Sequence, residues 1–183
     1  MLKKRFYILL FFCLLLGGNV NSSTVDKGDN NAPFENKRTE TDYLPIADPF
    51  VMLYNNKYYA YGTGGTVNEG FACFSSDDLK NWKRERQALS ADDSYGKWGF
   101  WAPEVYYIQS KKKFYMFYSV EEHICVATSD SPVGPFRQES KQPIWEEKSI
   151  DTSLFIDDDG TPYLYFVRFT DGNVIWVAQM TDD

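Results

Sequence analysis

One histidine and three cysteines in 183 residues leave little for metal or redox chemistry to work with. Cys13 falls in an apolar run near the start, while Cys73 and Cys125 stand apart with no Cys-x-x-Cys pair between them. A zinc site therefore lacks the clustered thiolates and imidazoles it needs, and no metal is expected. His123 precedes a predicted strand and reads as a turn residue. Basic clusters are as scarce. The formal charge is −7, and the lysine run from Lys111 to Lys113 falls in a predicted hairpin turn, which argues against nucleic acid as a partner. Long apolar runs are missing too, since Phe6 to Leu16 is too short to span a bilayer comfortably.

That short run has Lys3, Lys4 and Arg5 before it and small residues from Gly17 to Ser23 after it, the layout of a secretory signal peptide over residues 1–23. Lipidation at Cys13 is not expected, because the apolar run continues through Leu14, Leu15 and Leu16. Residues 24–41 are polar and read as a flexible leader. Removing the signal takes three basic residues with it and moves the formal charge from −7 to −10. The expectation is a secreted or periplasmic protein with no membrane partner once the signal is gone, its domain running from 42 to 183. In an oxidising compartment the two remaining cysteines still have no reason to pair. They occupy equivalent places in neighbouring repeats, where the chain diverges, and two buried thiols are expected.

What the sequence has in excess is aromatic residues, 17% of the chain, and they recur in order. Ile46 to Tyr54, Val105 to Ile108 and Thr152 to Ile156 each read as a first strand. A turn follows, then Lys57 to Thr63, Lys113 to Ser119 and Thr161 to Val167. Third strands come at Phe71 to Ser76, Ile124 to Ser129 and Val174 to Gln179. Corresponding positions, Cys73, Cys125 and Ile175, lie 52 and 50 residues apart. A period of about 50 with four short strands per unit predicts the blades of a β-propeller, an all-β fold. Both faces of the middle strands are apolar, as blades packed face to face require. Trp82 and Phe136 are expected to cap the outer edges, and Asp157-Asp158-Asp159-Gly160 reads as a tight turn without calcium-loop spacing.

An acid stands at the mouth of each first strand: Asp48, Glu104 and Asp151. Because proline disfavours the helical region for the residue before it, Asp48 is expected to be extended at the strand entrance. Inner strands line a propeller's axis, so the three carboxylates should converge on one axial opening. The loop aromatics Trp98, Phe100 and Trp101 lie close by, and Trp101 is open to either of two uses, facing a sugar or packing a blade.

Five segments carry a resemblance. Ala47-Asp48-Pro49, Ser76 to Trp82, Trp101 to Val105, Ala127 to Phe136 and Ile150 to Phe155 resemble, in this order, glycoside hydrolase family 43, over about 45 to 183. The resemblance implies a five-bladed β-propeller and inverting hydrolysis of arabinofuranosyl or xylosyl linkages in plant polysaccharide, with no cofactor. It implies Asp48 as general base and Asp151 as the carboxylate that tunes the acid and orients substrate; Glu104, in the blade-two motif, reads as a lining or hydrogen-bonding residue, and Trp101 stays the substrate-binding candidate among the loop aromatics. The family's general acid is a glutamate of the fourth blade. Asp183 closes the third strand of blade three, so the chain is expected to be an incomplete propeller, inactive alone and prone to aggregation or degradation. Inversion needs a base and an acid about 6.5–9.5 Å apart, and a third carboxylate near the acid raises its pKa. Two other readings stay open, a carbohydrate-binding propeller without catalysis and a structural propeller for protein partners.

Overall fold

Side chains alternate across a strand, so segments apolar on both faces have to be covered on both faces, and the three sheets do this by stacking. The computed structural model describes residues 44–64 and 68–181, all within one unit, Arg38–Asp183. The expected signal peptide over 1–23 and leader over 24–41 lie outside the described residues. Among the described residues there is no α-helix, and one 3-10 turn covers Ala91–Asp93.

The first blade has four antiparallel strands in order: β1 (Ile46–Tyr54), β2 (Lys57–Gly64), β3 (Gly70–Ser76) and β4 (Lys83–Ser90). The second has three, β5 (Trp101–Ile108), β6 (Lys113–Val120) and β7 (His123–Ser129). The third has β8 (Ser149–Ile156), β9 (Pro162–Arg168) and β10 (Val174–Gln179). The nine first, second and third strands are found within a few residues of their expected bounds. Asn55 and Asn56, with φ of 49° and 59°, make the two-residue turn between β1 and β2, the mirror-image type that matches strand twist. The acidic triplet forms the expected turn, closed by Gly160 N donating to Asp157 O at 2.8 Å.

The second blade departs from four strands. After β7 the chain makes a single reciprocal pair of bonds, Thr128 N to Arg137 O and Arg137 N to Thr128 O, both 3.0 Å. One residue before that pair it is bonded to another sheet, where Phe136 N donates to Ala88 O of β4 at 2.7 Å. Pro132 and Pro135 remove donors from this stretch, which keeps a regular edge strand from forming. Gly134 has φ of +79°, and a Cβ there would lie 2.4 Å from Ala88 O, so the crossing requires glycine. Phe136 is accordingly fully buried between blades one and two, edge-on to Tyr61 at 6.4 Å, and does not cap an outer edge.

Strand β6 shows how one strand serves two cores. Phe114, Met116 and Tyr118 pack towards blade one, while Phe117 packs towards Leu164 and Phe166 of blade three. Phe100 is in the first of these cores, stacked on Tyr118 at 6.3 Å and edge-on to Phe71 at 5.8 Å. Tyr118 also shares a 2.6 Å hydrogen bond with Ser94, which satisfies its buried hydroxyl. Cys73 and Cys125 are buried and unpaired.

Faces that meet no blade are the outer face of the third sheet, where Ile175 is 70% exposed, and the far side of β1, where Leu53 is 59% exposed. The contrast within blade three gives a direct check. Leu164→Ala, at a fully buried position, is expected to cost about 2–5 kcal/mol. Ile175→Lys is expected to stay within about 0.5 kcal/mol and to raise the soluble yield. Urea unfolding followed by tryptophan fluorescence measures both; equal losses at the two positions would contradict this packing.

Candidate active site

Each first strand carries an extra residue at its mouth. In β1 the register jumps between Ala47 and Phe50, so Asp48 and Pro49 face one residue, Gly62, on β2. The same jump falls between Trp101 and Glu104 in β5 and between Ile150 and Ser153 in β8. These are β-bulges, which bend the strand and re-aim the side chain at the insertion. The first bulged residue has positive φ in all three: 46° at Asp48, 45° at Ala102 and 54° at Asp151. Gly62 permits the approach in blade one, since a Cβ on it would lie 2.5 Å from Ala47 O.

This geometry corrects two expectations. Asp48 is not extended; it is left-handed, because the bulge and not the following proline sets its φ. Glu104 is not the counterpart of Asp48 and Asp151, because that register place in blade two belongs to Ala102. Aligning Pro49 with Pro103 in the sequence would have revealed this, since it sets Ala102 against Asp48 and leaves Glu104 two residues on.

The three bulges surround one cleft of about 300 Å³. Its walls are Asp48, Pro49 and Phe50 from β1, Ala102 and Glu104 from β5, and Asp151, Thr152 and Ser153 from β8. All three predicted acids are therefore brought together. Trp101 does not line this cleft; it begins β5 beside it, edge-on to the half-exposed Trp98 at 6.1 Å.

Each acid has a different environment. Asp48 Oδ2 accepts a hydrogen bond from Thr63 Oγ1 at 2.7 Å, and Thr63 Oγ1 in turn accepts from Ala102 N at 2.9 Å. Tyr106 donates its hydroxyl to Glu104 Oε2 and accepts from Leu154 N of blade three at 3.2 Å. Burial, with the neighbouring Glu104 charge behind it, pushes the Tyr106 phenol up to about 12, so it stays a donor at any physiological pH. Partial burial raises the Asp151 carboxyl above the ordinary aspartate value, and the Asp48 charge across the cleft adds to the rise. Dissolved salt screens part of that repulsion. The Asp151 N–H is held by Ser119 Oγ at 3.1 Å. Thr63, Tyr106 and Ser119 carry no signal in the sequence, being hydroxyls inside strands whose partners, apart from Glu104 beside Tyr106, lie 15 to 48 residues away. Chemically, the cleft holds three carboxyl groups, one of them with its pKa raised above the ordinary aspartate value, around a space of about 300 Å³.

The profile for glycosyl hydrolases family 43 matches residues 44–183. A solved endo-1,4-β-xylanase from Bacteroides thetaiotaomicron VPI-5482 is 86% identical, with a TM-score of 0.76 over 80% of this chain and 50% of that one. The arabinoxylan arabinofuranohydrolase of Bacillus subtilis (strain 168) is 30% identical over 65% of this chain and 30% of its own length. The β-xylosidase of Xylanibacter ruminicola is 28% identical over 74% and 48%. The chain thus spans half or less of the length of these relatives, and its three sheets are part of a five-bladed propeller of their kind.

The raised Asp151 value has a consequence for stability. The folded state holds this proton more tightly than the unfolded chain does, so its contribution is complete at pH below the ordinary aspartate range. It is lost as pH rises through the raised value. Asp151→Asn should therefore melt higher than the parent at pH 7 and close to it at pH 3. Melting temperatures at the two pH values measure this, and a variant gaining nothing at pH 7 would remove the strain assigned to Asp151.

Proposed function

The chain belongs to glycosyl hydrolases family 43, and from that premise we propose that it supplies the base side of an inverting glycosidase acting on plant cell-wall polysaccharide, at α-L-arabinofuranosyl or β-D-xylosyl groups. The observation that carries the reading is the convergence of Asp48, Glu104 and Asp151, from three separate sheets, on one cleft. Asp48 takes the proton of the water that attacks the anomeric carbon, and the leaving oxygen receives its proton from a general acid on the opposite side. Asp151 raises the pKa of that acid by like-charge repulsion and orients the sugar. Glu104, fixed by Tyr106, accepts a sugar hydroxyl, and Trp101 offers a ring beside the cleft. The 86% identity to the solved endo-1,4-β-xylanase weighs towards xylosyl linkages. The acid comes from a blade outside the three described, and the protein works outside the cytoplasm after losing its signal peptide.

The test joins this chain to the second half of the 86% identical xylanase and assays aryl xylosides and arabinofuranosides. Asp48→Asn fills the same space but cannot take a proton, so turnover should fall by about 10²–10⁴-fold with sugar binding retained. Activity within about threefold of the parent, far below what loss of a general base costs, would move the base elsewhere. A carbohydrate-binding propeller would bind sugar with no turnover in either form. The 183-residue chain assayed alone should hydrolyse neither substrate. Turnover by a soluble monomer of it would make Glu104 the acid.

A further inference from the structure

We propose that Thr63 is a positioning residue for Asp48, fixing which carboxylate oxygen receives the proton of the nucleophilic water; this rests on the reading of Asp48 as base. A threonine hydroxyl has one proton and two lone pairs. Ala102 N–H, arriving from the next blade at 2.9 Å, takes a lone pair and turns the hydroxyl's proton towards Asp48 Oδ2, 2.7 Å away. The donor direction at Thr63 is set by a backbone amide and does not fluctuate with the site. The hydroxyl's own swing is limited because a β-branched side chain is stiff at χ1. Oδ2 is thereby engaged, and Oδ1 is left for the water.

The repeat separates architecture from chemistry. Thr63 stands opposite Ala47, beside the first bulge, and Ser119 stands in the same register place opposite Trp101. Ser119 Oγ likewise accepts from the bulged N–H of the following blade, Asp151 N at 3.1 Å. Holding the next blade's bulge is therefore common to both hydroxyls. Only Thr63 also has an acid at its own blade's bulge, because blade two carries Ala102 there. The donation to Asp48 is thus an addition to a structural staple, and it links the base on blade one to the backbone of blade two.

The experiment uses the completed enzyme described above, with Thr63→Ser, Thr63→Val, Thr63→Ala and Asp48→Asn, measuring kcat and KM on an activated aryl glycoside. Thr63→Val and Thr63→Ala should each lower kcat by about tenfold or more, as misplaced reacting groups do, with KM held within about twofold. Thr63→Ser should recover most of the loss. In the Asp48→Asn background, Thr63→Ala should change kcat by less than about twofold, since its effect passes through the carboxylate. If Asp48→Asn is inactive while both Thr63 variants keep parental kcat, the positioning role is wrong and the base assignment stands. If Asp48→Asn keeps its activity, the base assignment itself falls. A loss that is additive in the double variant, or not recovered by serine, would reduce Thr63 to its structural staple.

Discussion

The extra residue at the mouth of each inner strand is the constraint on which the site depends. Left-handed backbone costs a side chain with a Cβ about 1–2 kcal/mol, yet all three blades accept it at the same register place. Aspartate tolerates that region better than most residues because its short polar group finds local partners, and Asp48 finds one in Thr63. Ala102 has no such compensation from its side chain, and its N–H bond to Thr63 helps to hold it. Each sheet over-determines its bulge through the pairs on either side, so the strain persists where the cleft benefits from it.

Three side chains from three sheets hold a common geometry only as well as the sheets hold each other. Two aromatic interfaces do most of this. Between blades one and two, Tyr54 meets Tyr107 and Phe114, both with ring centres 4.9 Å apart, and Phe50 meets Tyr106 at 5.3 Å. Between blades two and three, Phe117 and Ile124 pack on Leu164 and Phe166. Tyr106 belongs to both worlds, with its ring against Phe50 and its hydroxyl between Glu104 and Leu154 N. The aromatic wealth of the sequence is for the most part the material of these interfaces, and Phe100, a sugar-facing candidate by position alone, is one of its buried members.

The repeat, the strands and the three acids were legible from residue order, because period-two alternation and a spacing near fifty are local or simply counted. Register was legible only in part. Setting Pro49 against Pro103 matches Ala102 to Asp48 in the repeat, but the bulges that fix this place show only in the strand pairing. Blade two's outer edge was misread: Phe136 is expected to cap it, but prolines remove donors from the stretch before it and Ala88 of another sheet accepts its N–H. Hydroxyls such as Thr63 are silent in sequence, since a threonine within a strand has its own reasons to be there.

Cys73 and Cys125 repeat the propeller's period in a different chemistry. Both are fully buried, and burial pushes each thiol up to about 12. At neutral pH neither exists as the thiolate that oxidants and alkylating reagents attack. Each becomes reactive only when its own sheet opens, one sulfur in blade one and the other in blade two. The chain therefore carries a pair of internal clocks, and the rate at which each thiol yields to a labelling reagent counts the openings of its own blade.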